Sequence, residues 1–409
     1  MSLLFTSQQL FHHNLTFIKT LPMNLKQISR IIMLCLFVSS ATAQPGKQTT
    51  TGNSTFAFEL FKSIFKKDSN VFLSPYSISS ALAMTYAGAR NETEQQMSRV
   101  LHYDLNQVNT HQGFFEINST LGKIANDSTI KLSIANTLWK SETYWFKKDY
   151  LELTQKYYYA SIFPLKGAKP INDWADKKTN GKIKEIVKDT DLDNARLVLT
   201  NAIYFKGDWI TAFDEKKTKK VKFRTINNKE IDVDMMFQVN EAKYFEDAKN
   251  QILELPYKGE SIVMTIILPK ENSSIFDLAS TIDYKLFSNY NAELIKQKAN
   301  IYLPKFSITS EFHLEKVLPE MGIPDAFSIQ EADFTGMSAG LSISKVIHKA
   351  FIEVNEKGSE AAAATAVIMR EKSAFHETTF KADRPFMILI RDKTTNSILF
   401  MGSIMNPEQ

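Results

Sequence analysis

The chain has 409 residues, of which 44% are hydrophobic and 23% charged, and its formal net charge is +4. These proportions suit a globular protein with a large core and exclude a disordered or fibrous chain. Lys and Arg are mixed with acidic residues along the chain, so neither nucleic acid nor an anionic membrane is required as a partner.

From Met23 the sequence reads MNLKQISRIIMLCLFVSSATAQPG: Lys26 and Arg30 precede the apolar run Ile31 to Val38, and Ala41-Thr42-Ala43 offers a small-x-small cleavage site. This is the pattern of a secretory signal peptide, and its apolar run falls far short of the ~20 residues that span a bilayer. The expectation is a start at Met23, cleavage after Ala43, and one mature domain over residues 44–409, secreted to the extracellular space or, in a bacterium, to the periplasm. The only cysteine, Cys35, lies inside the signal. A mature chain of this size can bury enough apolar surface without disulfides. Asn53, Asn91, Asn118, Asn126 and Asn272 stand in Asn-x-Ser/Thr sequons and are glycosylation candidates in a eukaryotic secretory pathway.

Past the signal, STFAFELFKSIFKK (54–67) puts Phe56, Leu60, Phe61 and Ile64 on one face at helical spacing. In the segment that follows, NVFLSPYSISSALAMTYAGARNETEQQMSRVL, a short apolar strand leads to a helix start at Ser74-Pro75 and a second helix after Gly88. Helical character is expected to dominate to about residue 190. Then ARLVLTNAIYF and SIVMTIILP read as strands covered on both faces. VKFRT, KEIDVDMMF, ILELPY and ANIYLPKFSI read as further strands, with helical stretches around 275–296 and 311–321, and RPFMILIRDKTTNSILFMGSIM reads as a closing hairpin. With no linker after residue 55 and strands following helices in blocks, the class is α+β, one domain.

Gly336-Met337-Ser338-Ala339-Gly340 matches the G-x-S-x-G nucleophile elbow, whose serine must sit between a buried strand and a helix. Here EADFT before it is too polar for such a strand, and LSISKVIHKAFIEV after it alternates as a strand, so a glycine-bearing surface turn is expected. No H-x-x-x-H or C-x-x-C spacing and no Walker-type glycine loop occurs, so no metal or cofactor is expected. His348 lies in the apolar strand VIHKAFIEV, where a histidine hydrogen-bonded across a sheet is the plainer reading than a base.

Directly after that strand comes EKGSEAAAAT (356–365). Its four alanines favour a helix, while Gly358 and Ser359 weaken one, so its local preference is divided. NVFLSPYSISSALAMTYAGARNETEQQM, NDWADKKTNGKIKEIV, LVLTNAIYFKGDWITAF, IYLPKFSI, MGIPDAF with ADFTGMS, VIHKAFIEVNEKGSEAAAAT and ADRPFMILIRDKTTNSILFMGSIMNP together resemble the serpin family in order and spacing, over essentially the whole mature chain.

That resemblance implies three β-sheets, about nine helices and an exposed reactive loop at about 356–380. It further implies that a serine protease cleaves the loop and forms an acyl-enzyme, whereupon the loop inserts into the largest sheet and traps the protease. The protein is then not an enzyme but a monomeric suicide substrate. The hinge Glu356, Gly358, Ser359, Glu360, Ala361, Ala362, Ala363, Ala364 and Thr365 suits insertion: its residues are mostly small, it has no proline, and period two puts Glu360 on the solvent side and Ser359, Ala361 and Ala363 on the other. Inhibitory members place the scissile residue fourteen positions after the hinge glycine, which from Gly358 gives Lys372, followed by Ser373. Arg370 is the alternative and a non-basic residue such as Met369 a third; either basic residue implies a trypsin-like protease partner. Ser74, Pro75, Ser77, Asn201 and His348 match the region where the sheet parts, and Trp209 the point where the loop first inserts. HQGFFEINSTLGKIAN, which matches the basic helix of heparin-activated members, holds one lysine, so heparin binding is not expected. Two other readings stand beside this one: a non-inhibitory carrier or chaperone-like serpin, and a secreted hydrolase using Ser338.

Overall fold

The first helix, α1 (Pro45–Ile64), starts earlier than its apolar stripe because Pro45 suits a helix N-terminus and because Thr50 and Asn53 are buried with hydrogen bonds to Ser397 and Ser79. A computed structural model describes residues 44–104, 106–125, 130–359 and 378–409. The signal-like segment, Asn126, and the chain from Glu360 to Glu377, with the hinge alanines and the residues Arg370, Lys372 and Ser373, lie outside the described residues. Pro45–Gln409 forms one compact unit.

β1 (Val71–Leu73) leads into α2 (Pro75–Tyr86), with Ser74 as N-cap accepting a hydrogen bond from the Ser77 amide and Pro75 in the first turn. Every residue of α2 is buried, which makes it a central helix rather than an amphipathic surface one. Next come α3 (Asn91–Val100), α4 (Gln107–Ala125), β2 (Ile130–Lys140), α5 (Lys148–Tyr158), β3 (Ser161–Pro164), α6 (Ala168–Lys178) and β4 (Leu197–Asp208). β2 departs from the expected helical run. Its sequence IKLSIANTLWK alternates only loosely, and it is held as a strand by pairing along its whole length with β4, Ile130 opposite Gly207 through Lys140 opposite Leu197.

β5 (Lys219–Arg224), β6 (Glu230–Glu246), β7 (Asn250–Pro256) and β8 (Ile262–Pro269) follow, then α7 (Ile275–Thr281) and α8 (Tyr284–Glu293), which split the single helix expected at 275–296. Asp283 caps α8 through the Leu286 amide, and this forces the break. ANIYLPKFSI divides at Lys305 into β9 (Ile295–Pro304) and β10 (Phe306–His313), which belong to different sheets. The helix expected at 311–321 shrinks to a 3₁₀ turn and α9 (Leu318–Met321), ended by Gly322 in the left-handed region, because the residues up to His313 pair with β11 (Lys345–Asn355). The chain closes with β12 (Gly358–Ser359), β13 (Thr378–Lys381) and the hairpin β14 (Phe386–Asp392) and β15 (Ile398–Ile404).

Nine α-helices are present among the described residues, against two hydrogen-bonded ladders. The nine-stranded ladder runs β1-β15-β14-β8-β7-β6-β9-β13, with β5 also on β6; the long β6 pairs with β9 over most of its length and with β7 at its end, and so joins two sheets in one ladder. The six-stranded sheet runs β10-β11-β12-β4-β2-β3, with β11 and β4 also paired directly. A continuous core joins α1, α2 and β1 to β14 and β15, whose residues are all buried.

Candidate functional site

The six-stranded sheet contains one seam of unusual construction. β11 and β4 pair in parallel from Lys345 opposite Val198 to Ala350 opposite Ile203, and beyond that point they part. The turn Glu356-Lys357 then returns the chain as β12, which lies between them: Ser359 pairs with Gly207 of β4 and Val354 of β11, and Gly358 with Asp208 and Asn355. Hinge residues Gly358 and Ser359 are therefore strand residues inside the sheet, and Ser359 is 0% exposed.

Gly358 has φ +150°, and a Cβ there would lie 2.1 Å from the Gly207 carbonyl oxygen, so the backbone approach admits only glycine. The Ser359 hydroxyl meets the Tyr257 hydroxyl at 2.8 Å. The Tyr257 ring stacks on Trp209 with centroids 4.5 Å apart and planes 13° from parallel, a contact worth about 0.5–1.5 kcal/mol beyond its buried area. Trp209 in turn holds the strand end and the turn: its indole Nε1–H donates to the Asn355 carbonyl at 3.1 Å and its backbone N–H to the Lys357 carbonyl at 2.8 Å. Tyr257→Phe leaves the buried Ser359 hydroxyl without that partner and is expected to lower unfolding stability by about 1–3 kcal/mol, read from urea denaturation midpoints.

The turn is latched by charge. Glu356 accepts from Thr218 Oγ1 at 2.8 Å, pairs with Lys305 Nζ at 3.1 Å, and gives its carbonyl to the Phe213 amide at 2.8 Å. Burial of the Glu356 carboxyl works to raise its pKa, but the bonds from Thr218, its own backbone and Lys305 prevail and hold it below the usual range.

Further down the seam a buried polar row crosses the sheet through the registers Phe312–His348, His348–Asn201 and Asn201–Asn136. His348, 0% exposed, accepts at Nε2 from the Ser74 amide at 3.0 Å, so its proton sits on Nδ1 and is donated to Asn201 Oδ1. Asn201 Nδ2 donates to Ser77 Oγ and Asn136 Oδ1, Ser77 Oγ donates to Asn136 Oδ1 at 3.1 Å, and Ser74 Oγ donates to the Leu399 carbonyl at 2.6 Å. Burial pulls the His348 pKa down to about 3, which keeps the ring neutral. This row ties β11 to β4 and both to the first turn of α2. Separating the two strands at this level breaks the His348–Asn201 bond.

The structure thus brings Ser74, Pro75, Ser77, Asn201 and His348 together at one station of the seam and Trp209, Glu356, Gly358 and Ser359 at another. Asn136, Tyr257, Thr218 and Lys305 were missed. The polar positions of β2 were a faint signal for Asn136, whereas nothing local marks the other three. Ser338 lies in the turn-rich stretch 336–340, with neither a strand before it nor a helix after it, and the described histidines 102, 111, 313 and 348 all bond to other partners.

Two of the glycosylation candidates are engaged in the fold. Asn53 is 4% exposed, with its Oδ1 accepting from Ser79 Oγ at 2.6 Å, and Asn118 donates its side-chain amide to the Tyr157 carbonyl at 3.1 Å. Asn91 and Asn272 are exposed.

A profile of the family described as Serpin (serine protease inhibitor) matches residues 51–407. The chain is 40% identical to human serpin B8 over 371 residues, covering 87% of this chain and 98% of that protein. It is 37% identical over 369 residues to an uncharacterized serpin-like protein of Methanosarcina acetivorans, with 88% and 86% covered. Among solved structures it is similar to tengpin, a thermophilic serpin in its native state, with TM-score 0.81 and 30% identity over 87% of this chain and 94% of that one. It is likewise similar to human thyroxine-binding globulin complexed with thyroxine, with TM-score 0.82 and 29% identity over 89% and 100%. The seam, its latch and its polar row therefore stand in a chain that belongs to the serpin family.

Proposed function

We propose that the protein is a secreted inhibitor of trypsin-like serine proteases that works by inserting its cleaved loop into the β4–β11 seam. The observation that carries this reading is the position of Gly358 and Ser359, already paired as a strand at the mouth of that seam. Their register supplies a ruler. β12 runs antiparallel to both neighbours, so each further loop residue steps one residue back along β4 and β11. Met369 then comes opposite Leu197 and Ile368 opposite Lys345, which are the far ends of the two strands. A cut upstream of Met369 leaves part of the seam unfilled, whereas a cut after Lys372 or Arg370 supplies a loop long enough to fill it.

Each added pair of ladder hydrogen bonds contributes about 0.5–1.5 kcal/mol per bond, so a filled seam outweighs the uncut state, which must be held kinetically. After incubation with trypsin, mass spectrometry is expected to find the released C-terminal peptide beginning at Ser373; a peptide beginning at Glu371 moves the scissile residue to Arg370, and one beginning before Arg370 contradicts the ruler.

A carrier role is the second reading, favoured by the likeness to a thyroxine-binding globulin solved with its ligand. It predicts that cleavage leaves the seam unfilled and stability unchanged. Hydrolysis by Ser338 has no support in the turn that holds it.

A further inference from the structure

β2 ends where β4 begins, at the foot of the seam, with Lys140 opposite Leu197. The chain then turns through residues 141–147 into α5, and hydrogen bonds fix this turn from several sides. The Ser141 amide donates to the Arg196 carbonyl at 2.8 Å and the Lys147 amide to the Met337 carbonyl at 2.9 Å. The Tyr144 hydroxyl donates to the Gly340 carbonyl at 3.1 Å, and Lys140 Nζ to the Tyr144 carbonyl at 2.7 Å.

From this fixed turn Trp145 projects into solvent. It is 85% exposed, more than any other large apolar side chain among the described residues, whereas its neighbours Tyr144 and Phe146 are half-buried. Phe146 packs edge-on against the buried Tyr150 with ring centroids 5.3 Å apart, and Lys140 Nζ stands 5.9 Å from the Trp145 ring centroid. Folding gains nothing from an indole held out in water. A fixed backbone that presents one large aromatic is the form of a preorganised binding anchor. The length of the loop determines what reaches it. By the register above, Met369 comes opposite Leu197, so a chain cut after Lys372 has three residues left beyond the foot of the seam, a tether of about 10 Å. Trp145 follows Ser141 by four residues, a reach of at most about 14 Å, and Ser141 is bonded to the residue that precedes β4. A protease esterified to Lys372 is therefore delivered to this turn.

We infer that Trp145 is a contact by which the protein grips the trypsin-like protease once it has been carried to the foot of the seam, its indole covered by the protease surface. The inference rests on the trapping proposed above. A protease gripped there cannot pivot on its three-residue tether, and its active site is kept from recovering the geometry that hydrolyses the ester. In that hydrolysis water adds to the Lys372 carbonyl, the protease serine leaves as its hydroxyl, and Lys372 keeps a carboxylate.

The test uses the protein labelled with 5-fluorotryptophan, mixed with unlabelled trypsin. The chain has four tryptophans, so the fluorine spectrum is simple, and the Trp145 resonance is the one lost in Trp145→Phe. It is expected to respond to exchange of H₂O for D₂O in the free protein and in the cut chain without protease, and to lose that response in the covalent complex. Beside it, the return of trypsin activity from purified complex is followed over time. Trp145→Ala, a surface change harmless to folding, should release trypsin at least about tenfold faster, with Trp145→Phe in between. If the unmodified protein forms no complex, the trapping reading falls and takes this inference with it. If the complex forms but the Trp145 resonance stays solvent-exposed, or Trp145→Ala releases trypsin at the unmodified rate, this inference alone is overturned.

Discussion

On the proposed trapping mechanism, Ser359→Arg is expected to convert an inhibitor of trypsin into a substrate of it. Ser359 is fully enclosed between β4 and β11, with its hydroxyl on Tyr257 and no acidic group bonded to it. An arginine there must either bury an unpaired guanidinium, at a cost of several kcal/mol, or keep the loop out of the seam. In that mechanism insertion and hydrolysis of the acyl-enzyme compete, and every ~1.4 kcal/mol added to the insertion barrier slows it about tenfold. The number of inhibitor molecules consumed per protease inactivated should therefore rise from near one to at least about ten. An unchanged stoichiometry contradicts the insertion argument.

The second large effect belongs to His348 and follows from pH. The folded pKa of about 3 lies below the ordinary value of 6.5, so the unfolded chain takes up the proton first as pH falls. The stability that the neutral ring provides is complete above pH 6.5 and is lost as pH drops towards the folded value, by about 2 kcal/mol at pH 5. His111, also buried and pushed down to about 4, adds a loss of the same sign. Replacing His348 by glutamine should remove about 1.4 kcal/mol per pH unit from the slope of stability between pH 6 and 4. At pH 7.5 the same variant should be less stable by about 1–3 kcal/mol, because the Ser74 amide or Asn201 Oδ1 loses its partner. Denaturant titrations at a series of pH values read both, and a parallel pair of pH curves would show that His348 does not carry the dependence.

Much of the architecture was legible in the sequence, and the exceptions share one cause. Ser74-Pro75 announces its helix because a cap and a proline act within one turn, and the β14–β15 hairpin announces itself because both strands flank a short polar turn. β2 escaped notice because its strand character comes from β4, more than fifty residues downstream by the pairing of Asn136 with Asn201. The length of β6 likewise comes from β9. The candidate site followed the same rule. His348 in an apolar strand invited a cross-sheet hydrogen bond, and the resemblance named Asn201 and Ser74 beside it. Tyr257, Thr218 and Lys305 reach Glu356 and Ser359 only through tertiary folding, and no period or motif encodes such meetings.

The divided local preference of EKGSEAAAAT has a physical counterpart at its described end. Gly358 and Ser359 take strand geometry from their neighbours. Whether the rest of the loop follows is settled most directly by mixing the protein with trypsin at equal concentration and running the products on a denaturing gel. Trapping predicts a covalent band near the summed mass of protease and inhibitor that survives SDS and boiling. Complete conversion to fragments with fully active trypsin would contradict it.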